Sequence, residues 1–353
     1  MKYKTYALGE LVQIKYGKNQ KKVLSEDGTI PIYGTGGLMG YATEALYDKP
    51  SVLIGRKGTI GKVCFVDHPF WTVDTLFYTI VNTELVLPKY LFYLMSQMDL
   101  NAYNEGTTIP SLRTETLNRL EFDIPSIEEQ KEVLSYLDPI DDKIQLNTEI
   151  NKNLEQQADA LYRSFFSPQS GIDGEISTLD QYCAIFTGKK NANASVEGGA
   201  YKFFTCAPDS LQINSYIYDG NAIIVSGNGA YTGRTRFYSG KFDLYQRTYA
   251  CTMLNGINPD YIFPLYWFVK LELSKKIMGG TRGSAIPYIV MNDLAKFEFI
   301  YNQESFDFYM PIFKALTKSI QANEAENETL ALTRDILLPQ LMSGEIDVSD
   351  INL

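Results

Sequence analysis

The chain has 353 residues, 45% of them hydrophobic, and a formal net charge of −10 at pH 7. This length favours two domains of roughly 150 residues, each large enough to bury a core. Because no apolar run approaches the ~20 residues of a membrane span, and residues 1–17 lack the apolar stretch of a signal peptide, we predict a soluble, cytoplasmic protein without a membrane partner.

The first predicted domain, residues 1–125, combines strands with a helix. Residues 51–54 and 76–81 are short runs rich in β-branched and aromatic side chains, and glycine-rich turns surround them, which predicts strands. Residues 90–98 have a pattern more typical of a helix. This mixture predicts an α+β fold.

A long central helix is predicted within residues 126–168. No glycine occurs in residues 127–166, and apolar residues recur at alternating steps of three and four, which is a heptad pattern. Pro139 predicts that the continuous helix begins after this proline or bends at it. The predicted seam consists of Leu137, Ile140, Ile144, Asn147, Asn151, Leu154, Ala158, Leu161 and Phe165.

The second predicted domain, residues 169–302, repeats the first at an offset of 171–177 residues. Residues 222–226 and 248–254 again predict strands, and residues 261–277 predict a helix. The order of matching segments is kept while most side chains differ, so we predict two copies of one scaffold with different surfaces. The matching segments are 16–18 with 187–189, 52–62 with 223–234, 88–91 with 259–262, 108–110 with 285–287, and 117–122 with 294–299.

A second long helix is predicted within residues 303–346, where Pro311 again predicts a start or a bend. Like the first, it has a heptad seam with asparagine at two positions. This seam consists of Phe313, Leu316, Ile320, Asn323, Asn327, Leu330, Arg334, Leu337 and Leu341.

The asparagines of the two seams match: Asn147 and Asn151 in the first helix correspond to Asn323 and Asn327 in the second. A buried polar pair on a helix seam costs stability but selects one register. We therefore predict that the helices form an antiparallel coiled coil, which would close the two duplicated domains into a pseudo-two-fold circular arrangement. The alternative is that each helix packs only on its own domain.

Several segments resemble catalytic motifs without meeting their requirements. Residues 55–62 lack the first glycine and the final Ser or Thr of a Walker A loop, and the glycines in 34–37 and 227–229 lack the third glycine of a dinucleotide loop. Residues 258–261, Asn-Pro-Asp-Tyr, lack the second proline of an amino-methyltransferase motif. No nuclease pattern of Pro-Asp followed by acid-x-Lys is present either. We therefore predict no catalytic residues in this chain.

Metal and disulfide chemistry is not predicted. The four cysteines, Cys64, Cys183, Cys206 and Cys251, stand alone, and the only histidine, His68, precedes a proline. This spacing does not suit zinc, and disulfides are rare in a cytosolic chain. We predict unpaired thiols, a histidine in a turn, and no metal site.

The acidic charge is confined to the two helical segments. Residues 124–166 and 303–353 carry net charges of −5 and −6, whereas residues 1–123 and 167–302 carry zero and +1. The two domains are therefore able to carry basic surfaces despite the acidic total.

Basic residues cluster in Gly-, Asn- and Thr-rich loops of both domains, where their side chains can reach a DNA groove. Lysines there would neutralise phosphates, and arginines can bond the edge of guanine. For each residue alone, a solvated surface charge is the alternative, but the set in corresponding places favours DNA. The predicted DNA contacts are Lys18, Lys21, Lys22, Arg56, Lys57, Lys62, Arg113, Lys189, Lys190, Arg234, Arg236, Arg247 and Arg282.

The layout of the chain resembles the specificity subunit of type I restriction–modification enzymes. The resemblance covers nearly the whole chain and includes the Gly-Thr-Thr-Ile-Pro segment at 106–110, Ile-Pro-Ser-Ile-Glu-Glu-Gln at 124–130, and the segment 337–346 near the end. One departure is that residues 300–303 lack the proline found at position 125.

This resemblance implies two target-recognition domains, each reading one half of a split, asymmetric site in double-stranded DNA. The paired helices would act as a ruler and as the docking surface for two methylation subunits, which carry S-adenosylmethionine and methylate adenine. A restriction subunit would be a further partner. This chain would then be non-catalytic and hold no cofactor itself.

Two other classes of function are alternatives. A non-enzymatic coiled-coil scaffold with two protein-binding domains would explain the acidic helices, but its retention on duplex DNA would lack salt dependence. A fused methyltransferase would need a cofactor motif and a domain of its own, and the sequence contains neither.

Overall fold

The computed structural model describes residues 2–278 and 288–346, apart from the side chains of residues 276–278. The chain divides into two compact units: unit 1 contains residues 1–145 and 327–353, and unit 2 contains residues 146–326. The fold is α+β, with mainly antiparallel sheets and two helices of about forty residues.

The strands within the described ranges are short. They are β1 (Lys4–Ala7), β2 (Val12–Tyr16), β3 (Ile30–Gly34), β4 (Gly37–Ala42), β5 (Ser51–Gly55), β6 (Val63–Val66), β7 (Trp71–Thr72), β8 (Leu76–Val81), β9 (Glu121–Ile124), β10 (Glu175–Thr178), β11 (Cys183–Thr187), β12 (Tyr201–Phe204), β13 (Leu211–Ile213), β14 (Tyr218–Ser226), β15 (Thr235–Leu244), β16 (Thr248–Met253) and β17 (Glu298–Tyr301).

The helices range from one turn to about forty residues. They are α1 (Leu8–Leu11), α2 (Pro88–Ser96), α3 (Thr114–Asn118), α4 (Ile127–Phe165), α5 (Ile262–Met278), α6 (Met291–Ala295) and α7 (Gln303–Ser343). Short 3₁₀ turns connect several of these elements.

Unit 1 contains a four-stranded antiparallel sheet in the order β2-β8-β5-β6, a three-stranded sheet in the order β4-β3-β7, and the pair β1-β9. Strand β5 is buried along its whole length. The hydrophobic core of unit 1 also includes side chains from α2, α4 and the end of α7. The buried amide of Gln130 in α4 is satisfied, because it donates to the carbonyls of Leu85 and Pro125 and accepts from the amide of Leu87.

Unit 2 contains a six-stranded sheet in the order β11-β16-β14-β15-β12-β13 and the pair β10-β17. Helix α5 is apolar on nearly all sides because it is enclosed by this sheet and by α4 and α7. Trp267 of α5 is fully buried and donates its indole N–H to the hydroxyl of Thr317 in α7 at 2.9 Å. This bond satisfies a polar group that burial would otherwise penalise.

The two units share one strand order. The sequence β2-β8-β5-β6 in unit 1 has the same connections as β11-β16-β14-β15 in unit 2, and both sets are antiparallel. In each unit the first strand also pairs with the strand that precedes the long helix, as β1-β9 and β10-β17.

The predicted secondary structure is confirmed at most positions. The four predicted strands lie in β5, β8, β14 and β16, and the two shorter predicted helices correspond to α2 and α5. The structure moves most of their boundaries by one or two residues, although β14 begins at Tyr218, four residues before the predicted start. Helix α2, for example, begins at Pro88, a residue type whose missing N–H is harmless in a first turn.

We predicted that each long helix begins after its proline or bends at it, and the predicted start is wrong for both helices. Helix α4 begins twelve residues before Pro139, at Ile127, and α7 begins at Gln303, before Pro311. An interior proline costs a helix about 3 kcal/mol. Buried apolar side chains near each proline offset this cost, including Leu134 and Leu137 before Pro139 and Phe306 and Phe313 around Pro311.

The facing sides of α4 and α7 run antiparallel within each unit. In unit 2, Asn323 donates to the side chain of Asn151 at 2.7 Å, and Asn147 donates to the carboxylate of Glu326 at 2.7 Å. In unit 1, the amide nitrogen of Asn327 lies 3.5 Å from the carbonyl oxygen of residue 144. All four predicted asparagines therefore make contacts between the two helices.

At the C-terminal end of α4 the most buried residues differ from those of the predicted seam. Tyr162 and Phe166 are buried there, whereas the predicted Phe165 is 39% exposed and stacks on Tyr309. A straight helix drifts about 20° per heptad from a strict seven-residue repeat. The buried stripe has therefore moved by one residue at this end, and Leu161 is only partly buried.

Candidate nucleic-acid interface

Loops from several elements meet at one end of the four-stranded sheet of unit 1. Strands β2 and β5 both end where β8 begins. The amide of Gly17 donates to the carbonyl of Leu76 at 3.0 Å, and the amide of Arg56 donates to that of Thr75 at 2.8 Å. We call this surface loop cluster 1, and it consists of residues 17–22, 56–62, 72–75 and 104–113.

Unit 2 has a corresponding surface at the ends of β11 and β14 and the start of β16. The amide of Gly227 donates to the carbonyl of Arg247 at 2.8 Å, and the amide of Gln246 donates to that of Lys190 at 3.0 Å. We call this surface loop cluster 2, and it consists of residues 188–190, 227–234, 245–247 and 288–289.

A glycine at the same place in each cluster permits close backbone packing. A Cβ on Gly17 would lie 2.0 Å from the carbonyl oxygen of Val73, and a Cβ on Gly188 would lie 1.7 Å from that of Leu244. No other residue allows this approach. The lysine that follows each glycine therefore projects from a backbone that is held tightly against a neighbouring segment.

All five predicted lysines of loop cluster 1 are exposed. Lys18, Lys21, Lys22, Lys57 and Lys62 are all exposed, and none forms an ion pair with another described residue. Their charge is thus available to an anionic partner.

The two arginines of loop cluster 1 are more constrained. Arg56 donates to the carbonyl of Asp74 at 2.9 Å, and its guanidinium lies 4.9 Å from the ring centroid of Tyr16. Arg113 is largely exposed, and its Nε lies 3.2 Å from a carboxylate oxygen of Glu105. An exposed ion pair of this kind is worth little and can exchange for another anion.

In loop cluster 2, Lys189, Arg234 and Arg247 are exposed and form no ion pair in the parts of the chain that the structure describes. The guanidinium of Arg234 lies 5.8 Å from the ring of Tyr231, which is itself exposed. Arg282, also predicted to contact DNA, lies outside the described residues.

Lys190 and Arg236 are occupied within unit 2. The ammonium of Lys190 lies 2.7 Å from a carboxylate oxygen of Asp243, whose side chain is 1% exposed. Arg236 donates to the carbonyls of Pro208 at 3.0 Å and Thr205 at 2.9 Å. Burial, with a smaller contribution from neighbouring positive charge, lowers the pKa of Arg236 to about 10.

Aromatic side chains in these clusters were not predicted from the sequence. Tyr16 is 51% exposed beside Arg56, and Tyr231 and Tyr288 are also exposed in loop cluster 2. Exposed rings beside arginine suit contacts with sugars or bases. The only sequence signal is the position of Tyr16 before a Gly-Lys pair, and it is weak because residue 187, at the matching position, is threonine.

No metal site is evident in the described residues. Across 2–278 and 288–346, no group of three His, Cys, Asp or Glu side chains could hold a metal ion. The thiols are free, and burial raises the pKa of Cys183 to about 12, which keeps it protonated. No helix in this part of the chain is long and apolar enough to cross a membrane.

Comparison with known proteins shows similarity to one family. Residues 1–156 match the family model of the type I restriction modification DNA specificity domain. The chain is similar to type I restriction enzyme specificity subunits, and its matches span 26% and 32% of the length of two of these relatives.

Two individual relatives are named as type I restriction enzyme specificity subunits. The chain is 39% identical over 123 residues to the type I restriction enzyme EcoDI specificity subunit of Escherichia coli, a match that covers 35% of this chain and 26% of that subunit. It is 24% identical over 348 residues to the MjaIX specificity subunit of Methanocaldococcus jannaschii, covering 87% of this chain and 80% of that protein.

A solved structure shares the fold. The S subunit of a type I restriction–modification system from M. genitalium aligns with 97% of this chain and 96% of its own, with a TM-score of 0.63 and 16% identity.

Proposed function

We propose that this chain is the sequence-specific DNA-recognition subunit of a type I restriction–modification complex. The observation that carries the proposal is that each unit has a loop cluster with exposed lysine or arginine side chains that no described carboxylate neutralises. Such side chains bind DNA phosphates, and arginine can also read guanine in the major groove. The names of the relatives support this function.

The two units would each read one half of a bipartite, asymmetric target in double-stranded DNA. Their common strand order supports an internal duplication into two target-recognition domains, while their loops differ in sequence. Exchange of residues 1–125 for the same domain of a relative should therefore change one half of the methylated motif. A change in both halves would contradict independent reading.

The long helices would form an antiparallel coiled coil that closes the chain into a pseudo-two-fold circular arrangement. We assign to them the docking of two methylation subunits and the distance between the half-sites. The antiparallel contacts made by Asn151 with Asn323 and by Asn147 with Glu326 support the pairing. The acidity of the helical segments disfavours phosphate and so favours a protein partner.

The chain itself would have no catalytic residues and no cofactor. S-adenosylmethionine would be bound by the methylation subunits, and a restriction subunit would be a further partner of the complex. The lack of a nucleotide-binding loop in the sequence supports this division. Calorimetric titration of the purified chain with S-adenosylmethionine should give no heat of binding, and stoichiometric binding would contradict the proposal.

The decisive experiment is the salt dependence of binding to duplex DNA. The slope of log affinity against log salt should fall by about 0.9 for each phosphate contact removed, so Lys18→Ala, Lys57→Ala and Lys62→Ala should each lower it. Lys131→Ala is the matched control, because this lysine is also exposed but lies on α4.

Two outcomes would contradict the proposal. One is retention on DNA that does not depend on salt, which the scaffold alternative predicts. The other is a control variant that lowers the slope as much as the loop variants do.

A further inference from the structure

An apolar hairpin tip adjoins loop cluster 1. Strands β3 and β4 form a hairpin whose tip, residues 34–39, reads Gly-Thr-Gly-Gly-Leu-Met. Leu38 and Met39 at this tip are 54% and 57% exposed. Leu38 and Met39 are neighbours, and exposed apolar side chains that cluster mark contact sites more often than isolated ones do.

The backbone of the hairpin displays these side chains. Ile32 pairs with Gly40 and Tyr33 pairs with Leu38, so Met39 is the extra residue of a β-bulge. A bulge redirects the side chains of its strand and is common beside functional sites.

Glycines leave the tip open. A Cβ on Gly34 would lie 2.3 Å from the sulfur of Met39, so the methionine side chain lies across this glycine. A Cβ on Gly36 or Gly37 would meet nothing within 4 Å among the described residues. The end of the hairpin is therefore narrow and open to a partner.

The tip lies next to positive charge. Tyr33 pairs with Thr72 of β7, and the carbonyl of Thr72 accepts from the amide of Lys18 at 2.8 Å. Both Lys18 and the last residues of β3 therefore lie beside Thr72. Three residues beyond Thr72, the carbonyl of Thr75 accepts from the amide of Arg56. The basic loops and the apolar tip therefore form one continuous surface of unit 1.

We propose that this tip enters the major groove of DNA and that Leu38 and Met39 contact the C5-methyl groups of thymine. A two-stranded ribbon fits the groove, which is about 12 Å wide. Neither side chain can exchange strong hydrogen bonds with base edges, and the thymine methyl is the apolar group that base pairs present there. Lys18 would contact the phosphates beside the groove. The inference rests on the proposed function.

The test compares thymine with deoxyuridine, which lacks only the methyl group. The full chain is bound to duplexes that carry its mapped target, with deoxyuridine placed in one half-site or the other. Loss of each contacted methyl should weaken binding of the unchanged protein by about fourfold, from ~0.8 kcal/mol per buried carbon. The effect should occur in the half-site that exchange of residues 1–125 assigns to unit 1.

Protein variants complete the comparison. The double variant Leu38→Ala, Met39→Ala should bind the thymine and deoxyuridine duplexes equally. Leu332→Ala is the matched control, since this leucine is 62% exposed but lies on α7 and not in the hairpin. The control should keep the difference between the duplexes.

The failures are distinguishable. Equal binding of both duplexes by the unchanged protein, with salt-dependent DNA binding intact, would overturn this inference and leave the proposed function standing. The inference is also overturned, and the proposed function left standing, if the double variant keeps the preference for thymine. This would be the result if the tip contacts the minor groove or a protein. Absence of salt-dependent DNA binding in the unchanged protein would overturn the proposed function and the inference with it.

Discussion

Two neighbouring lysines of loop cluster 2 should behave in opposite ways when each is replaced by alanine. Lys189 is exposed and forms no ion pair with another described residue, whereas Lys190 binds the buried carboxylate of Asp243. We expect Lys189→Ala to lower the salt slope of DNA binding by about 0.9 and to leave stability within about 0.5 kcal/mol. We expect Lys190→Ala to leave the salt slope unchanged and to lower the stability.

The size of the stability loss follows from the surroundings of Asp243. Its carboxylate accepts from the hydroxyl of Ser215 at 2.8 Å and from the amide of Leu244 at 2.9 Å, so two neutral donors remain after Lys190 is removed. Breaking a fully buried ion pair typically costs 3–5 kcal/mol. Because the side chain of Lys190 is 34% exposed, solvent screening reduces this to about 2 kcal/mol. For a unit of this size the unfolding temperature should fall by about 4–8 °C.

The assay combines thermal unfolding with DNA retention at several salt concentrations, measured below the unfolding temperature. The double variant Lys190→Ala, Asp243→Asn should recover part of the lost stability, because it also removes the stranded charge. If Lys190→Ala unfolds like the unchanged protein and lowers the salt slope, Lys190 is a phosphate contact and the reasoning is refuted.

Three further predictions concern the helices and Arg236. Deleting the opposed heptads 144–150 and 324–330 keeps the Asn151–Asn323 rung and shortens each helix by about 10.5 Å. Methylation mapping should then show a spacer about 3 base pairs shorter, and an unchanged spacer in an active variant would exclude the helices as the ruler. Replacing both Asn151 and Asn323 by leucine should raise the free energy of unfolding, because an apolar pair replaces a partly buried polar one. This is measured by denaturant titration. A lower stability of the variant would show that the amide pair is itself stabilising. Arg236→Ala should destabilise unit 2 by about 1–3 kcal/mol in the same titration, because two carbonyls lose their donors. Unchanged stability of this variant would argue against a structural role for Arg236.

Elements that depend on local pattern were predictable from the sequence. The glycine-free heptad pattern indicated α4 and α7, and alternation of β-branched residues with glycine turns indicated β5, β8, β14 and β16. The matching segments 52–55 and 223–226 also lie in corresponding strands, β5 and β14, of the two units. These features require only the periodicity of side chains along a few turns or a single strand.

The ends of the long helices were less predictable. Pro139 lies inside α4 because packing around Leu137 offsets its cost, and the buried stripe reaches Phe166 rather than Phe165. Both outcomes depend on which side chains of the sheet and of α5 face the helix. That information is absent from the helix's own sequence.

The sequence by itself determined the α+β class, the two long helices, their matched asparagines and the basic character of the loops. Only the tertiary structure decided which basic residues remain available to a partner. Lys190 is bound by a residue 53 positions away, and Arg236 by carbonyls 28 and 31 positions away, while Lys189 and Arg234 remain exposed. The physical reason is that a charge is neutralised by whatever the fold brings within a few ångströms of it, and distance along the chain does not reveal that neighbour.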